Sequence, residues 1–227
     1  LTFAVPKEQL QGFLPPCLTL DSFDNNKWGF IVVAMVKTKE LRPKGFPAFL
    51  GHEFFLVGYR IFVRYHSVSG KSLRGLYILK SETDNKMMEF LGNIFTRYQY
   101  MTTDIHETRE NNVRSIRSVR SGFDILIDRT EGENVPLPES SPFADWKQAR
   151  RFAGPLPFTF SYNTEDKKVL IIEGVRENWT PTPLKVIKYN FSFLNSLNLK
   201  EARLANAFII KDVPYRWKKG RTEPWQR

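Results

Sequence analysis

The sequence predicts an α+β protein, mainly an antiparallel β-barrel or sandwich with two or three short helices. Three observations predict it. About nine short runs rich in β-branched and aromatic residues recur along the chain, bounded by Gly, Pro, Asn, Asp or Ser. Only three segments carry helical spacing or helix-start signals. No apolar run approaches the roughly 20 residues of a membrane span, so no membrane segment is expected. At 227 residues the chain is read as one domain, 1–227, ending in a basic tail from about residue 211.

The elements follow in order. Lys7 to Phe13 reads as a first helix, opened by Pro6 and stopped by Pro15-Pro16. Trp28 to Val36 is continuously apolar, like a strand covered on both faces. Glu53 to Tyr65 and Leu73 to Leu79 are strands joined across Ser69-Gly70-Lys71-Ser72. Glu82 to Tyr98 reads as the main helix. Thr83 or Asp84 can cap it, and Met87, Met88, Leu91, Ile94 and Phe95 recur at helical spacing. Gly92 in its middle costs about 1 kcal/mol, so something close-packed is expected against it.

Tyr98 to Ile105 and Phe123 to Ile127 are strands, with an odd stretch between them. In Val113 to Arg120, Val113, Ile116 and Val119 repeat every three residues beside Arg114, Arg117 and Arg120, which matches neither period. Thr130 to Ser141 is a surface connection. Ser141 to Phe152 is a third helix, with Pro142 in its first turn and Gly154-Pro155 after it. Phe158 to Tyr162, Val169 to Glu173, Val186 to Phe193 and Ala207 to Ile210 complete the strands.

Lys and Arg outnumber Asp and Glu by 34 to 24, a net charge of +10. That suits an anionic partner, or a protein that simply runs basic. Arg114, Arg117, Arg120 and the tail around Tyr215 to Arg221 offer charge and aromatics without a recognition motif, so nucleic acid is not the expected partner. The single cysteine, Cys17, cannot form an internal disulfide and has no base beside it in sequence. A buried, inert thiol and a cytoplasmic location are expected. Leu1 to Pro6 has no charged segment leading into an apolar core, so no signal peptide is expected.

Several chemistries lack their motifs. Gly70-Lys71-Ser72 has no glycine five residues ahead, so it is not a P-loop. No dinucleotide fingerprint is present, and no cofactor is expected. His52, His66 and His106 lack metal-ligand spacing, so no metal is expected.

One stretch gathers polar groups: Leu73 to Tyr98, with Lys80, Ser81, Glu82 and Asp84 at a strand-to-helix junction. Such groups converge on pockets at sheet ends. Two readings stand. A lysine kept dry there can act as an amine nucleophile. Alternatively, Glu82 and Asp84 cap the helix and Lys80 points to solvent. The candidate catalytic residues are Lys80, Lys86 and Glu82. The candidate ligand-binding residues are Arg64, Lys80, Glu82, Asn93 and Tyr98. Arg60 and Arg64 are four apart in a strand and share one face, while Tyr59, Ile61, Val63 and Tyr65 share the other. An inward arginine would fork onto a carboxylate, and an outward one is a solvated face.

Leu14-Pro15-Pro16-Cys17-Leu18-Thr19-Leu20-Asp21, the strand Trp28 to Met35, and Arg74-Gly75-Leu76-Tyr77 through Gly92-Asn93-Ile94-Phe95-Thr96-Arg97-Tyr98 resemble the DUF2071 family. The resemblance covers roughly residues 5 to 217. That family is distantly similar to acetoacetate decarboxylase. The resemblance implies an acetoacetate-decarboxylase-like β-barrel, a keto acid or other carboxylate as ligand, and homo-oligomeric relatives. The decarboxylase uses a Schiff-base lysine beside a second lysine, in a Tyr-Pro-Lys-Lys run shortly after a glutamate. Here Glu82 is followed by Thr83-Asp84-Asn85-Lys86-Met87-Met88, without that run, and the pairs Lys167-Lys168 and Lys218-Lys219 lie far away. The catalytic lysine is therefore not carried over. Two functions remain open: a small-molecule-binding enzyme, or a non-enzymatic ligand sensor or module for an acidic partner.

Overall fold

The computed structural model describes residues 1–41, 52–96, 98–132, 134–176, 180–211 and 213–225. Its backbone is a long antiparallel meander, β3 (Trp28–Leu41), β4 (His52–His66) and β5 (Ser72–Thr83). β1 (Thr2–Pro6) and then β13 (Arg203–Asn206) extend it on one side. On the other side β5 pairs in parallel with β10 (Phe158–Asn163). β11 (Lys168–Arg176) follows, flanked by β15 (Tyr215–Trp217) and β16 (Arg221–Pro224). β2 (Leu18–Leu20) adds to β4, and β6 (Tyr100–Thr102) runs parallel to the end of β5. A second sheet runs β14 (Phe208–Ile209), β12 (Thr182–Phe191), β9 (Phe123–Glu131), β8 (Val113–Ser118), β7 (His106–Glu110). The helices are α1 (Glu8–Gln11), α2 (Lys86–Thr96), α3 (Trp146–Ala153) and α4 (Ser192–Ser196).

β4 shows why so many strands read as continuously apolar. Its odd-numbered residues, Phe55 to Tyr65, share one core with Ile116, Phe123, Ile125 and Phe191 of the second sheet. Its even-numbered residues face the other way. Phe62 lies in a cluster with Phe143 and Ala149, and Phe54 and Leu56 lie in a cluster with Tyr98 and Tyr100. Much of both faces is therefore covered, but of the run Trp28 to Val36 only the first part is buried, and Val36 is 42% exposed.

The expected closed barrel is not what the ladders draw. The strands make two sheets that pack face to face through their shared core. The chain changes sheets several times, among them at Ala207 between β13 and β14, where Leu184 donates its N–H to the Ala207 carbonyl. Among the described residues no ladder joins the two sheets edge to edge.

Four elements depart from the sequence reading for local reasons. Residues 81–83 stay in β5 rather than opening the helix, because β4 and β6 pair with them from both sides. The helix starts at Lys86, and its cap is Asn85, whose side chain accepts the Met88 N–H at 3.1 Å. Asp84 instead accepts the Phe55 N–H at 2.8 Å. The three-residue period of Val113 to Arg120 is a strand running into a turn. Ile116 points into the core, and the Asp104 carboxylate gathers the N–H groups of Val119 and Arg120 and the Ser118 hydroxyl. The third helix begins only at Trp146, capped by Asp145 on the Gln148 N–H, and the run ending at Phe193 turns into α4. Gly92 has the close neighbour expected of it: a Cβ there would lie 2.6 Å from the Tyr100 ring.

No helix among the described residues is long and apolar enough to cross a membrane. None of their His, Cys, Asp and Glu side chains form a group of three or more that could hold a metal ion.

Candidate functional site

The site grows out of the register between β4 and β5. Tyr59 pairs with Lys80 and Val57 pairs with Glu82. Paired residues point the same way, so Lys80 and Glu82 are carried on the sheet face that packs against the second sheet. The Lys80 Nζ lies 2.6 Å from Glu82 Oε1. Glu82 is 1% exposed and Tyr59 0%, while the Lys80 side chain retains 22%. Lys80 is thus the group through which solvent reaches the cluster.

α4 supplies the aromatic wall. The Phe193 ring sits 4.8 Å from the Tyr59 ring and 5.2 Å from the Lys80 ammonium, a cation–π distance. Phe191 meets Tyr59 edge-on at 6.1 Å. Two polar atoms in this apolar setting are left over. The Tyr59 hydroxyl and Glu82 Oε2 are both buried with no hydrogen-bond partner. Burial, and after it the neighbouring Glu82 carboxylate, raises the Tyr59 phenol's pKa. The two groups therefore face one another, in a contact that raises the phenol's pKa but falls short of a well-formed hydrogen bond. Native structures leave few such atoms unpaired, and each needs an explanation. Together the three side chains offer an amine, a proton acceptor and a hydroxyl donor.

The other sequence candidates lie elsewhere. Arg64 is on the opposite face of β4 and donates to Asp21 at 2.7 Å; Arg74 donates to the same carboxylate. Asp21 is almost wholly buried, and Arg74 also donates to the Phe152 carbonyl and stacks on its ring. Asn93 pins β6 to α2, with its amide paired to both backbone groups of Tyr100 at 2.9 and 2.6 Å. The Tyr98 hydroxyl bonds Thr159. Lys86 is exposed at the start of α2, beside an open hollow of about 420 Å³ that Asn93 also lines. The structure thus brings Lys80 and Glu82 together and gives Arg64, Asn93 and Tyr98 packing partners of their own. Cys17 is 9% exposed, and burial pushes its thiol up to about 11.

Sequence reasoning missed Tyr59 and Phe193 as members of the site. Alternation placed Tyr59 correctly on the face of Ile61 and Val63. Nothing local could show that Lys80 lies across from it, or that residue 193 folds over both.

The whole fold has solved counterparts. It is similar to acetoacetate decarboxylase from Legionella pneumophila, at 12% identity and a TM-score of 0.54, over 99% of this chain and 82% of that one. It is similar to the enduracididine biosynthesis enzyme MppR in its complex with pyruvate, at 10% identity and 0.52, over 97% and 86%. It is also similar to an acetoacetate decarboxylase-like enzyme from Sphingomonas wittichii RW1, at 11% and 0.50, over 97% and 85%. No curated protein matches the sequence. The model of DUF2071, described as an uncharacterized conserved protein, matches residues 1–214, and the chain belongs to that family.

Proposed function

We propose that the chain binds a small keto acid at the Lys80–Glu82–Tyr59 cluster and joins it to Lys80 as an imine. The observation that carries this reading is the sealed Tyr59 hydroxyl and Glu82 carboxylate, in contact with no well-formed hydrogen bond between them, beside an amine that solvent reaches. A bound carbonyl compound supplies what they lack. Its oxygen accepts from the Tyr59 hydroxyl. Glu82 takes the proton that the ammonium must lose before it attacks. The Lys80 nitrogen adds to the carbonyl carbon to give a carbinolamine. Glu82 returns the proton to the departing hydroxyl, and water leaves with formation of the C=N bond. In this arrangement a carboxylate, rather than a second lysine, stands beside the amine. The likeness to acetoacetate decarboxylase and to an enzyme complexed with pyruvate supports the substrate class.

A second reading is favoured by the 2.6 Å ion pair itself. An ammonium held by Glu82 binds the ligand's carboxylate and forms no covalent bond, as a sensor would. One experiment separates the two. The protein is incubated with pyruvate and borohydride, and the mass of the chain and its Lys80 peptide is read. A reduced adduct at Lys80, absent in Lys80→Arg, supports the imine. Saturable pyruvate binding that needs Lys80 but leaves no adduct supports the sensor. Neither adduct nor binding overturns the site.

A further inference from the structure

The face of the main sheet away from Lys80 carries Arg60, which has no counter-charge among the described residues. Arg60 is half-buried, and its Nε is shut from solvent with no hydrogen-bond or ion-pair partner among the described residues. Its neighbours on that face fare differently. Arg64 and Arg74 converge on the Asp21 carboxylate. With Nε sealed and the terminal nitrogens not among the buried, unpaired atoms, the half-buried guanidinium still offers its outer edge to an anion.

The surroundings are shaped for it. Gly58 lies two residues back on the same face. A Cβ there would come 2.7 Å from Arg60 Nε and 3.0 Å from Nη2, so the glycine is what lets the guanidinium lie along the sheet. The ladder sets Val32 and Ile78 on either side of Arg60, and Ala34 and Ser81 on either side of Gly58. The floor is therefore small and mostly apolar. The aromatic cluster around Phe62 bounds it at one end, and the one around Leu56 at the other.

We propose that Arg60 anchors an anion subsite for a carboxylate on a short hydrocarbon tail. The planar fork takes both carboxylate oxygens, and the tail lies on the half-buried Val32 and Ala34. The subsite is on the opposite face from Lys80, so it stands or falls independently of the imine reading.

The test follows the Arg60 Nε–H by ¹H–¹⁵N NMR while butyrate, acetate, inorganic phosphate or chloride is added. The expected result is a shift that saturates with butyrate at lower concentration than with acetate, and chloride without effect. Lys80→Arg should leave the titration unchanged. Arg60→Lys should weaken butyrate binding about tenfold, because a point charge loses the bidentate geometry. Arg60→Met keeps the stem. It should raise Tm without ligand and abolish the rise that butyrate gives the native protein. Saturation by phosphate alone would overturn the carboxylate assignment. An Arg60 signal unmoved by any of the anions, or a butyrate-induced rise in Tm that persists in Arg60→Met, would overturn the subsite.

Discussion

Replacing Tyr59 by Phe should make the ligand-free protein more stable. Tyr59 is 0% exposed, and its hydroxyl meets the Glu82 carboxylate without a well-formed hydrogen bond. Folding therefore strips that hydroxyl of water and returns only an imperfect contact with Glu82. Unpaired buried hydroxyls cost about 1–3 kcal/mol in mutational series. The ring contacts with Phe193 and Phe191 survive the change, so no cavity term opposes the gain. The lower half of the range applies, because the loss of one oxygen slightly loosens the packing. The net expectation is about +1 kcal/mol, or roughly 2–4 °C in Tm for a chain of this size. Urea unfolding followed by tryptophan fluorescence measures it, with an unchanged m-value as the check that the denatured state is the same. The same variant should bind pyruvate at least tenfold more weakly. A Tyr59→Phe protein that is less stable than the parent would refute the reasoning. It would mean that the hydroxyl is satisfied in solution and is not waiting for a ligand.

Asp21→Asn should destabilise the fold. Breaking a buried ion pair costs about 3–5 kcal/mol, but water reaches Arg64 (44% exposed) and Arg74 (26%), so about 2 kcal/mol is expected in the urea midpoint. Gly75→Ala should lose roughly 1–3 kcal/mol, because the new methyl would sit 2.5 Å from the Phe158 carbonyl oxygen where β5 and β10 run side by side; thermal melts check it. The Asp104 carboxyl is held below its ordinary value of 3.8, chiefly by the Ser118 hydroxyl and the Arg120 N–H. A depressed carboxyl contributes stability in full above its unfolded value and loses it as pH falls through the folded one. Asp104→Asn should therefore be least stable relative to the parent at neutral pH, with the gap closing towards about pH 2 in urea midpoints. At pH 8 only about a thousandth of Cys17 is thiolate, so iodoacetamide should label the native protein far more slowly than the urea-unfolded chain, as read by mass.

Much of the sheet was legible because the strands announce themselves. Glu53 to Tyr65 alternates two apolar faces, and the structure uses both. That alternation also assigned Arg60 and Arg64 to one side and Tyr59 to the other. Gly92 predicted its own close neighbour, which proved to be Tyr100. The helix boundary was not legible. Residues 81–83 are capable of starting a helix, but hydrogen bonds from two flanking strands hold them extended. Barrel closure was not legible either, since it depends on which edges meet, and strand content does not encode that. Of the candidate site, the pair Lys80 and Glu82 could be named because they stand in a polar run, with Ser81 and Asp84, just after an apolar strand. Tyr59 and Phe193 could not, because their approach is a matter of register and of a turn more than a hundred residues away.

β5 has company of three kinds: antiparallel β4, and parallel β10 and β6 along different lengths of its far edge. The β10 partner arrives roughly eighty residues after the stretch of β5 that it covers. A growing chain on the ribosome can zip β3, β4 and β5 as hairpins as soon as they emerge. It must then wait, with residues 75–77 displaying bare N–H and C=O groups, until Phe158 has been made. Gly75 sits at that exposed position, and the lack of a side chain there leaves nothing to fend off a stray strand. The interval between synthesis of residue 83 and residue 160 is thus the window in which this protein is most open to mispairing with its own copies. Slow translation of that segment, or a shortage of chaperones during it, should lower the soluble yield without altering the folded molecule at all.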